Sequence, residues 1–171
     1  TSYIPTSGTS VTRNQDVCIN GGSLASINST EGVLYFEGER LSLLGNKRTI
    51  SINDGSLNNY AIMQFQGVSN TIKILYKSVE NGFVFNTNYN LNSEISFSKY
   101  AFKWSNNNFS FWVNGIKEIE QLSGSTTSSN VFNNIDFTLP NGADKFFGKT
   151  KAVAVWKEAL SDEELTELTT I

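Results

Sequence analysis

The sequence predicts an all-β fold, of sandwich or barrel type, finished by one short C-terminal helix. Three observations predict it. Charged residues make up only 17% of the 171 positions and aromatics 12%, with Asn, Ser and Thr frequent throughout; this mixture suits pleated strands joined by tight turns and not exposed helices. Short apolar runs recur between turn signals at close spacing. Only one segment carries the start signals of a helix. The length fits one domain, residues 1–171, large enough to bury about 70% of the surface its unfolded chain exposes. A hydrophobic content of 39% with twelve Phe excludes disorder.

Residues 1–16 are polar and irregular, punctuated by Pro5 and Gly8, and are expected to form a lead-in segment or an edge strand. The first clear strand is Gly32-Val-Leu-Tyr-Phe-Glu-Gly38. Asn46-Lys47 and Asp54-Gly55 supply turn chemistry around Arg48-Thr-Ile-Ser-Ile52. Tyr60-Ala-Ile-Met-Gln-Phe65 and Thr71-Ile-Lys-Ile-Leu-Tyr-Lys77 follow. Asn81-Gly82 then predicts a hairpin into Phe83-Val-Phe-Asn-Thr87, both central positions of a type I′ turn needing positive φ. Tyr100-Ala-Phe-Lys-Trp-Ser105 returns through Asn106-Asn107-Asn108 as Phe109-Ser-Phe-Trp-Val113, and Asn114-Gly115 turns the chain into Ile116-Lys-Glu-Ile-Glu120. Ser123 to Asn130 reads as a long, compositionally flexible surface loop. Strands are expected around Asn134–Thr138 and Lys149–Trp156. Ser161 with Glu164 makes a capping box, and Leu160 with Leu165 a hydrophobic staple, for a helix of about two turns covering Leu165 and Leu168.

Charge and composition remove several function classes. The net charge of −3 leaves no basic footprint for nucleic acid or anionic lipid. No apolar run is long enough to cross a bilayer, so membrane insertion is not expected. The chain begins at Thr1 and not Met, as expected of a fragment or a processed product. A single cysteine, Cys18, excludes an internal disulfide, and with no His in the chain it has no imidazole partner for nucleophilic catalysis; it reads as a small inert thiol.

Phe109-Ser-Phe-Trp-Val-Asn-Gly115, preceded by Tyr100-Ala-Phe-Lys-Trp104, resembles the paired strands of laminin-G-like domains. Ala154-Val-Trp-Lys-Glu-Ala-Leu-Ser-Asp-Glu-Glu-Leu165 resembles their closing strand and short helix. The segment Ser2–Asp16 is similar to one that precedes such domains in bacteriophage tail and other virion proteins. These resemblances together imply the concanavalin A-like lectin/glucanase superfamily. They imply its fold, a two-sheet antiparallel β-sandwich or jelly roll, and a placement at a virion surface or outside the cell. Members bind glycans, cleave them or join proteins, and the fold does not choose among these.

Glycoside hydrolysis needs two carboxyl groups facing each other across the scissile bond. Glu37/Glu39 and Glu118/Glu120 are Glu-x-Glu pairs that alternation would place on one face of each strand. Their contexts, a strand end and the arm of a hairpin, fit solvated strand charges better than a buried acid. A lyase would need Tyr35, Tyr76 and Lys103 to converge. No phosphate loop or nucleophile elbow is present, and the expectation is a chain that is not an enzyme.

Glycan binding needs an aromatic platform beside planar amides and charged groups that bond paired hydroxyls. Alternation puts Phe109, Phe111 and Val113 on one face of their strand, and Ser110 and Trp112 on the other. Tyr35 and Glu37 share a face, Gln64 and Gln66 lie opposite Met63 and Phe65, Asn86 and Asn88 lie opposite Phe83, Phe85 and Thr87, and Lys103 lies opposite Phe102 and Trp104. Were these faces to coincide, one concave surface would carry Trp112, Tyr35, Glu37, Gln64, Asn86 and Lys103, with Trp112 and Tyr35 stacking on sugar rings. Asn28-Ser-Thr30 and Asn108-Phe-Ser110 are sequons, relevant only in a eukaryotic secretory pathway. Asp54, Asp136 and Asp144 lie near turns without calcium-loop spacing, so no metal and no cofactor is expected, a structural Ca²⁺ being compatible but unsignalled. The expected role is a carbohydrate-binding or receptor-recognition module whose partner is a polysaccharide or cell-surface glycan, displayed in a larger oligomeric assembly of a phage tail or other virion protein. The competing roles are a structural or protein-interaction domain and a polysaccharide-degrading enzyme.

Overall fold

Alternating apolar residues and tight Asn/Gly turns produce ten strands, seen in a computed structural model that describes residue 8 and residues 17–40, 45–67, 70–91 and 97–171. In chain order they are β1 (Gly32–Arg40), β2 (Arg48–Asn53), β3 (Tyr60–Phe65), β4 (Thr71–Ser78), β5 (Gly82–Asn90), β6 (Ser98–Ser105), β7 (Asn108–Val113), β8 (Ile116–Gln121), β9 (Asn134–Asp136) and β10 (Gly148–Trp156); helix α1 (Asp162–Thr169) follows. They form two antiparallel five-stranded sheets, ordered β10-β1-β6-β7-β8 and β5-β4-β3-β2-β9. The fold class expected from the sequence is the one observed. The lead-in segment falls outside the described residues except for Gly8.

The core lies between the sheets. Leu34, Phe36, Phe102, Phe109 and Phe111 from the first sheet meet Ile50, Met63, Ile74, Tyr76 and Phe85 from the second, all essentially sealed from solvent. Phe85 stacks at 5.5 Å on Phe102 and at 5.8 Å on Phe109, binding the sheets through their rings. The Tyr76 hydroxyl donates to the Ser29 carbonyl and accepts from the Thr127 amide. The segment from Ser123 to Asn130 is a loop as expected, but a pinned one: Asn81 donates to the Ser125 and Thr126 carbonyls, and Ser128 bonds Glu80.

The turns follow their residues with one exception. Asn114 (φ 49°) and Gly115 (φ 85°) supply the two positive-φ positions between β7 and β8. At Asn81-Gly82 only Gly82 (φ 68°) is positive. The β4–β5 connection therefore runs through Val79–Asn81 into a left-handed glycine, a three-residue hairpin in place of the expected type I′ turn.

Helix α1 starts as its sequence dictates. The Ser161 side chain accepts from the Glu164 amide at 3.2 Å, and the Glu164 carboxylate accepts from the Ser161 amide at 2.8 Å. At its other end the Thr169 hydroxyl accepts from the Gly115 amide at 3.0 Å, and the Lys99 ammonium donates to the Thr170 carbonyl at 2.7 Å. The last turn has no basic residue of its own, so Lys99 of β6 supplies the cation that the negative helix end favours. These contacts lay the helix across the outer face of the first sheet, with Leu165 fully buried there.

Candidate functional site

Strand parity around Trp112 is as the sequence predicts. Phe109, Phe111 and Val113 enter the core while Trp112 stands on the outer face of the first sheet. Tyr35, Glu37 and Lys103 are on that same face. What parity cannot show is the cover. Trp112 is 3% exposed, packed in a cluster with Val33, Tyr35, Ala101 and Leu165 beneath α1. Its indole N–H donates to the Ser110 hydroxyl at 3.0 Å, and the Lys117 ammonium lies 5.8 Å from its ring centre. No ring face is left for a sugar, and Trp112 is corrected from a stacking platform to the floor of a helix-docking site.

Its three companions are engaged in the same docking. Tyr35 is 5% exposed, meets Trp156 edge-on at 6.1 Å and donates its hydroxyl to Glu37 at 3.3 Å. Burial, and then the Glu37 charge, push its phenol up to about 12. Glu37 accepts from Lys151 at 2.7 Å, and this bond holds its carboxyl below the ordinary range. Lys103, 4% exposed, donates to the Leu160 carbonyl at 3.2 Å and pairs with Asp162 at 3.4 Å, latching the start of the helix.

Gln64 and Asn86 belong to the other sheet, so the six candidates are split between opposite outer faces and do not form one surface. Gln64 is 5% exposed: its amide donates to the Thr49 hydroxyl and the Asp144 carboxylate and its carbonyl accepts from Gln66. It is a strut under a loop. Asn86 is exposed.

The catalytic alternatives also separate. Tyr76 is in the core of the second sheet, away from Tyr35 and Lys103 on the first sheet's outer face. Glu39 pairs with Lys149 at 3.1 Å, as Glu37 does with Lys151. A bulge at Glu118 breaks the expected Glu118/Glu120 alternation: Glu120 opposes Ser110 and Lys117 opposes Trp112, leaving Glu118 to bond Tyr89 of β5. The Cys18 thiol, half-buried against the Ile135 carbonyl, has its pKa raised by desolvation, the opposite of an activated nucleophile. Asp54 bonds Asn59, Asp136 bonds Asn53 and Asp144 bonds Gln64, and among the described residues no three acidic, Cys or His side chains gather as a metal set.

The outer face of the second sheet is built differently. Register places side chains in rows across β5, β4 and β3: Asn88–Lys73–Gln64, then Asn86–Leu75–Ile62, then Phe83–Lys77–Tyr60. Leu139 packs over Tyr60, Ile62 and Leu75, so the loop after β9 walls off the β3 side. The β5 side stays open, with Asn86 and Asn88 exposed and Phe83 at 60%. Among the described residues the side chains of Lys73, Asn86 and Asn88 make no hydrogen bond or ion pair. Lys77 donates to the Leu57 carbonyl and sits 5.4 Å from the Phe83 ring and 5.7 Å from Tyr60. The result is a shelf with an aromatic ring at one end, unpartnered amides along its rim and an ammonium behind them. Sequence reasoning found Asn86 and noted Asn88 but missed Lys73, Lys77 and Phe83. For the two lysines the signal was present: the hairpins linking β3, β4 and β5 make them neighbours, and alternation puts Lys73 between Gln64 and Asn88. Phe83 is corrected from the core side, where alternation put it with Phe85, to the outer face, because a bulge opposite Tyr76 and Lys77 leaves Val84 as the extra residue and turns Phe83 outward beside Lys77.

No protein-family model matches the chain, and no curated protein matches it in sequence. Solved structures match by shape. The CBM40 of the Ruminococcus gnavus IT-sialidase, bound to α2,3-sialyllactose, is 14% identical with a TM-score of 0.67, over 83% of each chain. Domain 4 of AbnA, an extracellular GH43 arabinanase of Geobacillus stearothermophilus in complex with arabinotriose, is 13% identical with a TM-score of 0.57, over 87% of this chain and 70% of that one. The leech intramolecular trans-sialidase, complexed with 2,7-anhydro-Neu5Ac, is 19% identical with a TM-score of 0.63; the match covers 84% of this chain and 24% of the enzyme. The chain therefore shares the antiparallel β-sandwich fold of these domains.

Proposed function

We propose that the chain is a non-catalytic carbohydrate-binding module that holds its glycan on the open shelf of β4 and β5. The observation that carries this reading is the pairing of an exposed ring, Phe83, with unpartnered Asn86, Asn88 and Lys73 on one face, while α1 seals the face opposite. An exposed ring supplies a surface for the C–H face of a sugar, and planar amides bond adjacent hydroxyls as donor and acceptor together. The structural neighbours bound to sialyllactose and arabinotriose support the same reading. The carboxylates Glu37, Glu39 and Glu120 are held in ion pairs with lysines, an arrangement suited to strand pairing and not to proton transfer. The finer setting, receptor recognition within an oligomeric virion or extracellular protein, rests on the resemblance of residues 2–16, outside the described residues apart from Gly8.

A glycan array carrying sialyllactose, arabinotriose and host polysaccharides identifies the ligand, and titration calorimetry then measures it. Phe83→Ala, Asn86→Ala and Lys73→Ala are each expected to weaken binding by about tenfold, near 1–1.5 kcal/mol. Binding is expected to persist in EDTA, since the shelf uses amides, an ammonium and a ring. Unchanged affinity in all three variants, or sugar released from the bound glycan, overturns the reading.

A further inference from the structure

The chain holds four Asn-Gly pairs: Asn20-Gly21, Asn81-Gly82, Asn114-Gly115 and Asn141-Gly142. In such a pair the glycine nitrogen lies within reach of the asparagine side-chain carbonyl carbon, and no Cβ blocks its approach. Attack needs the glycine amide released from its hydrogen bond. At three pairs another part of the fold holds that amide. Gly21 donates to the Ile135 carbonyl across a β-bridge at 3.1 Å. Gly82 is paired with Ser78 in the β4–β5 ladder, and the Asn81 amide group is itself bound to the Ser125 and Thr126 carbonyls. Gly115 donates to the hydroxyl of Thr169, a residue sealed from solvent under α1.

Asn141-Gly142 is different. Its glycine amide is bonded only within its own turn, to the Leu139 carbonyl at 2.8 Å, and Asn141, Gly142 and Ala143 are all exposed. Opening that bond separates no two elements of the fold, so it is the least costly of these openings. Asn141 Oδ1 accepts from the Ala143 amide at 3.1 Å, which folds the side chain back over Gly142 and sets a donor where negative charge develops during attack. Asn114 has a similar donor in the Lys99 amide at 2.9 Å, but its glycine is locked. The Asn141 amide group makes no hydrogen bond among the described residues and is free to leave. The same turn seats Leu139: its amide donates to the Ala143 carbonyl at 2.8 Å while its side chain packs over Tyr60, Ile62 and Leu75.

We propose that Asn141-Gly142 is a self-modifying site, whose conversion to aspartate and isoaspartate loosens Leu139 from the outer face of the second sheet. The proposal goes beyond the glycan-binding reading and does not depend on it. The Gly142 nitrogen bonds to Asn141 Cγ, the Cγ–Nδ2 bond breaks, and ammonia leaves with the proton shed by the Gly142 amide. Water then opens the cyclic imide. Cleavage of its Cγ–N bond gives aspartate; cleavage at the main-chain carbonyl gives isoaspartate. The second product carries the chain through Cγ, adds a methylene to the backbone of the turn, and so disturbs the bonds that seat Leu139.

Peptide mapping by mass spectrometry of the full chain, kept in mildly alkaline buffer either folded or in urea, tests the site. In the folded chain Asn141 is expected to lose ammonia at least about tenfold faster than Asn20, Asn81 and Asn114, and in urea the four rates should converge. Thr169→Val, if its spectrum is native, removes the hydroxyl that holds Gly115 and should speed Asn114 while leaving Asn141 unchanged. Equal rates in the folded chain, the same preference for Asn141 in urea, or an Asn114 rate unmoved by natively folded Thr169→Val, overturns the site; the comparison of folded chain with urea decides it without the variant. For the loosening, the isoaspartate form is separated by anion exchange and compared with Asn141→Asp, which adds the charge without lengthening the backbone. Methyl shifts of Ile62, Leu75 and Leu139 are expected to move in the isoaspartate form alone. Methyls that stay in place there, or that move equally in Asn141→Asp, overturn the loosening.

Discussion

Trp112 illustrates how far a single residue's role depends on what lies above it. Buried against Val33, Tyr35, Ala101 and Leu165, its indole fills a packed site between sheet and helix. Trp112→Ala is expected to cost about 3–5 kcal/mol through lost burial and a cavity that collapses only in part. Urea denaturation should show the lower midpoint, while the folded fraction keeps its glycan affinity; normal stability with lost affinity would return the indole to the binding site. Parity along Phe109-Ser-Phe-Trp-Val113 correctly gave the side of the sheet, because the two faces of a strand are a local property. It was blind to α1, which arrives from far later in the chain. Gln64 is the converse case. Alternation made it look like an outward amide, and Thr49, Gln66 and Asp144 had already taken its hydrogen bonds. Satisfaction of a polar group by distant loops is invisible to spacing.

At the scale of the element, α1 couples its sequence signals to its docking. The capping box satisfies amides at its first turn, so Ser161→Ala is expected to cost about 1 kcal/mol, read as a lower thermal midpoint. Asp162 ties that turn to the sheet, pairing with Lys117 at 2.8 Å and Lys103 at 3.4 Å. The Lys117 bond, first, and then the Lys103 charge hold the Asp162 carboxyl below its ordinary value; the Asp162 and then Glu120 bonds raise Lys117. A lowered carboxyl stabilises the fold above its unfolded value, near 3.9, and that contribution fades as pH falls through the folded one. A raised ammonium stabilises below its unfolded value, near 10.4, and its contribution is lost as pH rises through the folded one. Helix docking, followed by the emission of buried Trp112, should therefore be level from about pH 5 to pH 9.5 and weaken on either side. Asp162 keeps 47% and Lys117 28% of its side-chain exposure, so solvent screening limits the pair to about 0.5–1 kcal/mol. Asp162→Asn should remove that part of the acid-side loss, and an unchanged acid limb would show that the helix is held by Leu165 and Thr169 alone. Capping and staple were legible in Leu160–Leu165 because caps are local chemistry, as were the hairpin turns. The surface the helix chose was not, since it depends on Gly115, Lys99 and Lys103 meeting it from other strands.

On the scale of the whole molecule, the sandwich divides labour between its two outer faces. One is closed by an acidic helix over an apolar floor. The other is left open on the β5 side, where a shallow row of amides and one ring can contact only part of a sugar. On the proposed reading, a site with so few contacts and so little enclosure would bind weakly as a single copy, because each immobilised sugar must offset its own ordering cost. Strength would then come from copy number. Linked copies convert later contacts into intramolecular ones and raise apparent affinity by about 10²–10⁴ without a new contact. Biotinylated chain held as a tetramer on streptavidin, compared with free chain on surfaces of graded glycan density, tests this directly. The tetramer should gain steeply at high density and lose its advantage as spacing exceeds its span, and Phe83→Ala should collapse both forms in parallel. A monomer that already binds tightly, with no gain on tetramerisation, would show that the ligand is enclosed elsewhere on the molecule.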